Sequence, residues 1–148
     1  MRVTFTKRER RYDVYVSRDR APDLFIRSAP GYDDWLPHDL LHFVAEAEHG
    51  LDGGVFGDVA AGGNARTFIP VDQKLVAKTW RAQRISKRRL PDGRRSEELA
   101  AQLERGWRER KAPPAMLEIL DGLAERWQAL QPGESLTLDW PRCERRRH

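Results

Sequence analysis

The sequence predicts an α+β fold, a small antiparallel sheet of N-terminal strands plus a C-terminal strand packed against three to four helices. Two observations predict it. Short segments at both ends of the chain alternate apolar and polar residues with the period of a strand. The middle repeats its apolar residues at helical spacing. Strand-rich ends around a helical centre place helices on one face of a sheet. No internal repeat, heptad or low-complexity tract breaks the pattern, and no domain boundary is visible. Residues 1–141 read as one domain and 142–148 as a basic tail.

Each element has a local cause. Val3 and Phe5 alternate with Arg2, Thr4 and Thr6, a half-buried first strand. Lys7 to Arg11 is a charged hairpin tip. Tyr12, Val14 and Val16 then alternate with Asp13, Tyr15 and Ser17, a second strand antiparallel to the first. A turn at 19–23 leads to a short third strand, Leu24 to Arg27, broken by Pro30 and Gly31. A helix follows from Leu36 to Gly50. Asp33 or Asp34 caps it or lies just outside. Pro37 suits its first turn, where a missing N–H costs nothing, and Gly50 with Leu51 suits a Schellman ending.

Six glycines between 50 and 63 favour tight turns, with one or two helical turns among Val55, Phe56, Val59 and Ala60. Phe68 to Pro70 is a short extended piece. Asp72 to Leu90 reads as a helix with Leu75, Val76, Thr79, Ala82 and Gln83 on its inner stripe. Past a turn at 91–93, Ser96 is a natural N-cap for a helix bearing Leu99, Leu103 and Trp107. Glu97 and Glu98 suit its first turn. Pro113 and Pro114 separate it from the clearest amphipathic helix, which carries Met116, Ile119, Leu120, Leu123, Trp127 and Leu130. Leu136, Leu138 and Trp140 share one face of the last strand. Pairing it with an N-terminal strand would tie the termini together.

At 148 residues, 39% hydrophobic and 34% charged, the chain is long enough for a real core. No window reaches the roughly 18 apolar residues of a membrane span, and the first residues lack a signal peptide's apolar segment. The single cysteine, Cys143, excludes an internal disulfide framework and fits a reducing compartment. A cytoplasmic protein is expected, and its Arg, Ala and Gly content is that of a high-GC bacterial genome. The net charge of +4 is unevenly spread. Residues 28–65 hold seven acids and neither Lys nor Arg. An acidic stretch in a basic protein suits a cation site, a basic partner, or neutralisation by a neighbouring basic helix.

That stretch also holds three of the four histidines. On a helical wheel of about 100° per residue, Leu40, Val44, Ala47 and Leu51 share a stripe, and His38, His42, Glu46 and His49 share the other side. His38 and His42, at i and i+4, are placed to give two imidazoles to one metal, as on an H-E-x-x-H helix. Glu46 extends the row, and Glu46 with His49 forms an i, i+3 carboxylate–imidazole pair. His38 and His49 lie roughly 16 Å apart along the axis, too far to share an ion. A single site therefore uses His38 with His42, His42 with Glu46, or Glu46 with His49. Asp33, Asp34, Asp52 and Asp58 are the nearest further ligands in sequence, Cys143 and His148 the distant ones, and a second chain in a homodimer could supply others. The expected ion is divalent, Zn²⁺ first. If a coordination position stays open, Glu46 or Asp39 is the candidate general base of a metal-dependent enzyme. Against this stands a solvated polar face with no ion at all.

The HDxxH motif resembles the zinc motif of the Coq-four ubiquinone-biosynthesis proteins, in which a Glu follows after eleven residues. Here that position is Gly54, so the resemblance implies a zinc site short of its last ligand. The PHDxxHF helix from Pro37 to Phe43, with Gly31-Tyr32-Asp33-Asp34, Gly62-Gly63 and the Leu-Thr-Leu-Asp-Trp-Pro ending, is similar to a family of small uncharacterised actinobacterial-type proteins, which implies no activity.

The alternative function is a non-catalytic interaction protein. Its acidic helix would meet a basic partner, or a basic face made by Lys74, Lys78, Arg81, Arg84, Lys87, Arg88, Arg89, Arg94 and Arg95, near Trp80, would meet nucleic acid. A solvated helix face is the expectation for that run, since no helix-turn-helix, RRM or zinc-finger signature accompanies it. The glycine-rich run matches neither phosphate-loop nor dinucleotide-binding spacing. Nucleophilic Ser or Cys catalysis is not indicated, because G-x-S-x-G is missing and Cys143 lies in the tail.

Overall fold

The computed structural model of the chain describes residues 1–30, 34–78 and 90–141. β1 (Arg2–Lys7) and β2 (Tyr12–Ser17) form the expected hairpin, with Val3 opposite Val16 and Phe5 opposite Val14. β3 (Leu24–Ala29) runs two residues past its expected end and pairs with β2 through a register shift between Tyr12 and Val14. Ile69–Pro70, β4, adds a two-residue edge to β3. β5 (Ser135–Asp139) pairs antiparallel with β1, placing Leu138 opposite Val3 and Leu136 opposite Phe5. The sheet order is β4-β3-β2-β1-β5. One face is apolar: Val3, Phe5, Val14, Val16, Leu136 and Leu138 are all buried. On the other, Thr4 meets Thr137 at 3.0 Å and Thr6 meets Ser135 at 2.7 Å.

Five helical segments occur among the described residues: α1 (His38–His49), α2 (Val55–Ala60), α3 over 73–78, α4 (Gly93–Arg108) and α5 (Pro114–Ala129). The expected helix from Asp72 to Leu90 is helical over 73–78 and not at Leu90, and 79–89 lie outside the described residues. α4 begins three residues before the expected cap, after Asp92, so Ser96 sits inside the helix. Pro37 likewise sits at the N-cap rather than in the first turn of α1. Gly50 ends α1 at φ 63°, a left-handed conformation that glycine adopts without strain, and its N–H reaches the Glu46 carbonyl. No helix among the described residues is long and apolar enough to cross a membrane.

α1 fills the centre of the helical layer. Leu40 to Ala47 are all buried, because α1 is covered by the sheet on one side and by α2 and α4 on others. Phe43 and Phe56 pack edge to face at 5.2 Å, and each meets Trp140 and Phe5. α5 buries Met116, Leu120, Leu123 and Trp127, with Trp127 edge-on to Tyr12. The short helix α2 is held at both ends by opposite charge. Glu46 receives its N-terminal N–H groups, and Arg18 donates to Val59 O at 2.8 Å and Gly63 O at 2.7 Å at its C-terminal side. Each charge complements the helix dipole.

Candidate metal centre

The middle of the polar row of α1 does not face water. Its members, His42 and Glu46, are buried to 2% and 0% exposure. Packing of α4 and α2 over this side of α1 puts a second set of polar groups against them.

Glu46 belongs to α2. Its Oε1 accepts N–H groups from Phe56 at 2.9 Å and Gly57 at 3.1 Å. Its Oε2 accepts the Val55 N–H at 2.9 Å and the Ser96 hydroxyl at 2.7 Å. A carboxylate offers about four lone-pair sites, and all are taken. Burial pushes its carboxyl above the ordinary range, against the pull of the Gly57 N–H, the Ser96 hydroxyl, the Val55 N–H and His42. Since its hydrogen-bond partners all donate, the anion is the form this site holds. The sequence places Glu46 among the metal ligands and general bases. The structure gives it another task, because its oxygens have no lone pair left to offer.

Ser96 links this carboxylate to His42. The hydroxyl proton goes to Glu46, so the Ser96 oxygen is left to accept from His42 Nδ1, 2.7 Å away. Nδ1 therefore carries a proton, and in the neutral ring Nε2 is a bare lone pair. Nε2 points toward two more groups. His38 Nε2 lies at 3.0 Å and Glu97 Oε1 at 3.2 Å. The other Glu97 oxygen is 3.6 Å from His38 Nε2. His38, His42 and Glu97 thus form one cluster whose ligand atoms lie within 4.8 Å of one another. The His42 side chain is 3% exposed, those of His38 and Glu97 45% and 65%, so the cluster is anchored inside and open outside.

Of the residues named from sequence, His38 and His42 are brought together. His49 is exposed at the far end of α1. Asp39 is bound to the Tyr12 hydroxyl and takes no part in the cluster. Burial, then the Asp39 charge, pushes the Tyr12 phenol far up, so it keeps its proton, donating to the Asp39 carboxylate while accepting the Asp39 N–H at 3.3 Å. Asp58 accepts the Ala65 N–H at 2.9 Å, and Asp34 and Asp52 are exposed. Asp33, Cys143 and His148 lie outside the described residues, as do Arg81, Arg84, Lys87, Arg88 and Arg89; Lys74 and Lys78 are exposed. Of the seven acids in 28–65, Asp39, Glu46 and Asp58 meet hydroxyl or backbone donors, not a basic helix.

Glu97 is the member of the cluster that sequence reasoning missed. It read as a first-turn carboxylate suited to the helix dipole. Its neighbour Ser96 is 54 residues from His42, and nothing local signals that approach. No family model, curated protein or solved structure matches this chain. The chemistry of the cluster therefore has to be argued from its own geometry.

Proposed function

We propose that the chain binds one divalent metal ion, Zn²⁺ by preference, through His38 Nε2, His42 Nε2 and a Glu97 oxygen. The observation that carries this reading is the meeting of lone pairs. The His42 Nε2 lone pair and Glu97 Oε1 are both acceptors, 3.2 Å apart. One proton on His38 Nε2 can serve only one of them, whereas a cation between the three satisfies all. Ligands about 2.0–2.1 Å from a tetrahedral zinc lie roughly 3.3 Å apart. From His42 Nε2, His38 Nε2 at 3.0 Å and Glu97 Oε1 at 3.2 Å lie close to that value, and the other Glu97 oxygen is 3.6 Å from His38 Nε2.

Two imidazoles and one carboxylate with an exposed fourth side make the ligand set of a catalytic rather than a closed structural zinc. An ion held this way supplies an acidified water, which suits hydrolysis. Asp39 and Glu46, the bases expected from sequence, are both engaged elsewhere. All three ligands come from one chain, so the site needs no second copy.

The rival reading is an ion-free imidazolium at His42, lying between Glu97 and Glu46. Elemental analysis of tag-free protein and zinc titration calorimetry separate the two. One equivalent of metal is expected, with binding lost in His42→Ala and cut about ten-fold or more in Glu97→Gln. His49→Ala should bind as the parent does. Metal well below one equivalent, with melting unchanged by chelator, would overturn the proposal.

A further inference from the structure

A second region of the molecule carries a different chemistry. Three hollows run into one another along one side. The first, about 780 Å³, lies at the β1–β2 turn against Arg10, Arg11 and Arg27. The second, about 680 Å³, shares Arg10 and Arg11 and extends to Trp35 and Arg108. The third, about 310 Å³, shares Trp35 and Arg108 and ends against Trp107. Shared walls make the three adjoining, and together they are called the groove.

The groove is basic. Among the described residues its walls carry six arginines and four acids. Two of the acids are already matched, Asp13 by Arg8 at 2.8 Å and Asp121 by Arg110 at 2.7 Å. Arg108 is held by Glu104 at 3.1 Å, which leaves Arg10, Arg11 and Arg27 against Glu9 and Asp34. Arg11 is fixed to the wall by its bond to Ser28 O at 2.9 Å, and Arg27 lies 5.1 Å from the Phe25 ring. Midway along stands Trp35, 55% exposed and edge-on to Trp107 at 6.5 Å. Water-exposed tryptophan is costly, and Trp107 behind it keeps the ring in place.

We propose that this groove binds single-stranded nucleic acid, its arginines meeting phosphates while a base stacks on Trp35. The combination of a positive channel with an exposed aromatic platform is what sequence-tolerant single-strand binding requires. A duplex hides its base faces from Trp35, and an acidic peptide satisfies the arginines but has no flat ring to offer it. Arginines spread over three adjoining hollows favour an extended chain over one nucleotide. This surface is separate from Lys74 and Lys78, which do not line it. It is also independent of the metal centre.

The test is fluorescence anisotropy of labelled oligo-dT with the full chain at low and moderate salt. Binding that weakens steeply with salt is expected. Arg10→Glu with Arg11→Glu should weaken it about ten-fold or more. Trp35→Ala should do the same and remove the oligonucleotide's quenching of tryptophan fluorescence, while Trp35→Phe should bind within a few-fold of the parent, controlling for folding. Lys74→Glu with Lys78→Glu should change nothing. No binding at low salt, binding indifferent to Trp35→Ala, a greater loss from the Lys74 and Lys78 changes, or equal competition by duplex DNA or poly-glutamate would each overturn the proposal.

Discussion

The Glu46 carboxylate occupies the space that a side chain at Gly54 would need. A Cβ built there would lie 2.5 Å from its carbon and from Oε1. The glycine-rich run does cradle an anion, but one from its own chain. Glu46 is fully buried and cannot move aside without breaking its bonds to α2 and Ser96. Gly54→Ala should cost about 1–3 kcal/mol. Denaturant unfolding should show this loss.

Gly122 gives the opposite expectation. It lies inside α5, and a Cβ there would meet nothing within 4 Å. Alanine lowers the entropy of the unfolded chain and favours helix. Gly122→Ala should therefore stabilise the fold by about 0.5–1 kcal/mol, read as a raised unfolding midpoint with unchanged denaturant slope.

Ser96 should matter to the proposed metal binding although it is not itself among the proposed ligands. Ser96→Ala removes the acceptor that keeps a proton on His42 Nδ1 and presents Nε2 outward. Losing such a supporting bond typically weakens metal affinity about 10–100-fold. Nitrogen NMR of the His42 ring should show the Nδ1–H tautomer in the parent and a mixture in the variant. Unchanged tautomer with unchanged affinity would mean that Ser96 serves packing alone.

Strong acid should loosen the α4–α5 corner. The two bonds from Arg110, then the Trp107 indole, pull the Asp121 carboxyl down to about 2. Its folded pKa lies below its unfolded one, so its contribution is complete above about 4 and is lost as pH falls toward 2. Asp121→Asn removes that contribution. Melting temperatures of parent and variant should differ most near neutrality and converge as pH drops from about 4 to about 2.

What could be read from the sequence was local. Alternation at Val3, Phe5, Val14 and Val16 gave the strands, since a period of two needs no knowledge of the partner. Gly50 marked the end of α1 for an equally local reason, the left-handed φ. The wheel also put His38, His42 and Glu46 on one side of α1, correctly. It could not say what lay across from that side. Glu46 looked like a ligand because a carboxylate one turn beyond an imidazole is ligand-like. Only the return of the chain at α2 and α4 shows that backbone N–H groups take it, and that Glu97 stands near His42 instead. The same holds for Ser96. As a helix cap it would be a surface residue, yet the helix begins earlier and turns it inward.

The pairing of β1 with β5 sets a schedule. Arg2 stands opposite Asp139, and the Trp140 N–H reaches the Met1 carbonyl at 2.9 Å. A ribosome adds about 5–20 residues per second, so Arg2 is made on the order of ten seconds before its partner. Through that interval Val3 and Phe5 have β2 on one flank and nothing on the other. The nascent sheet waits with the N–H and C=O groups of β1 open along that edge until β5 is made, a delay that strand order alone imposes.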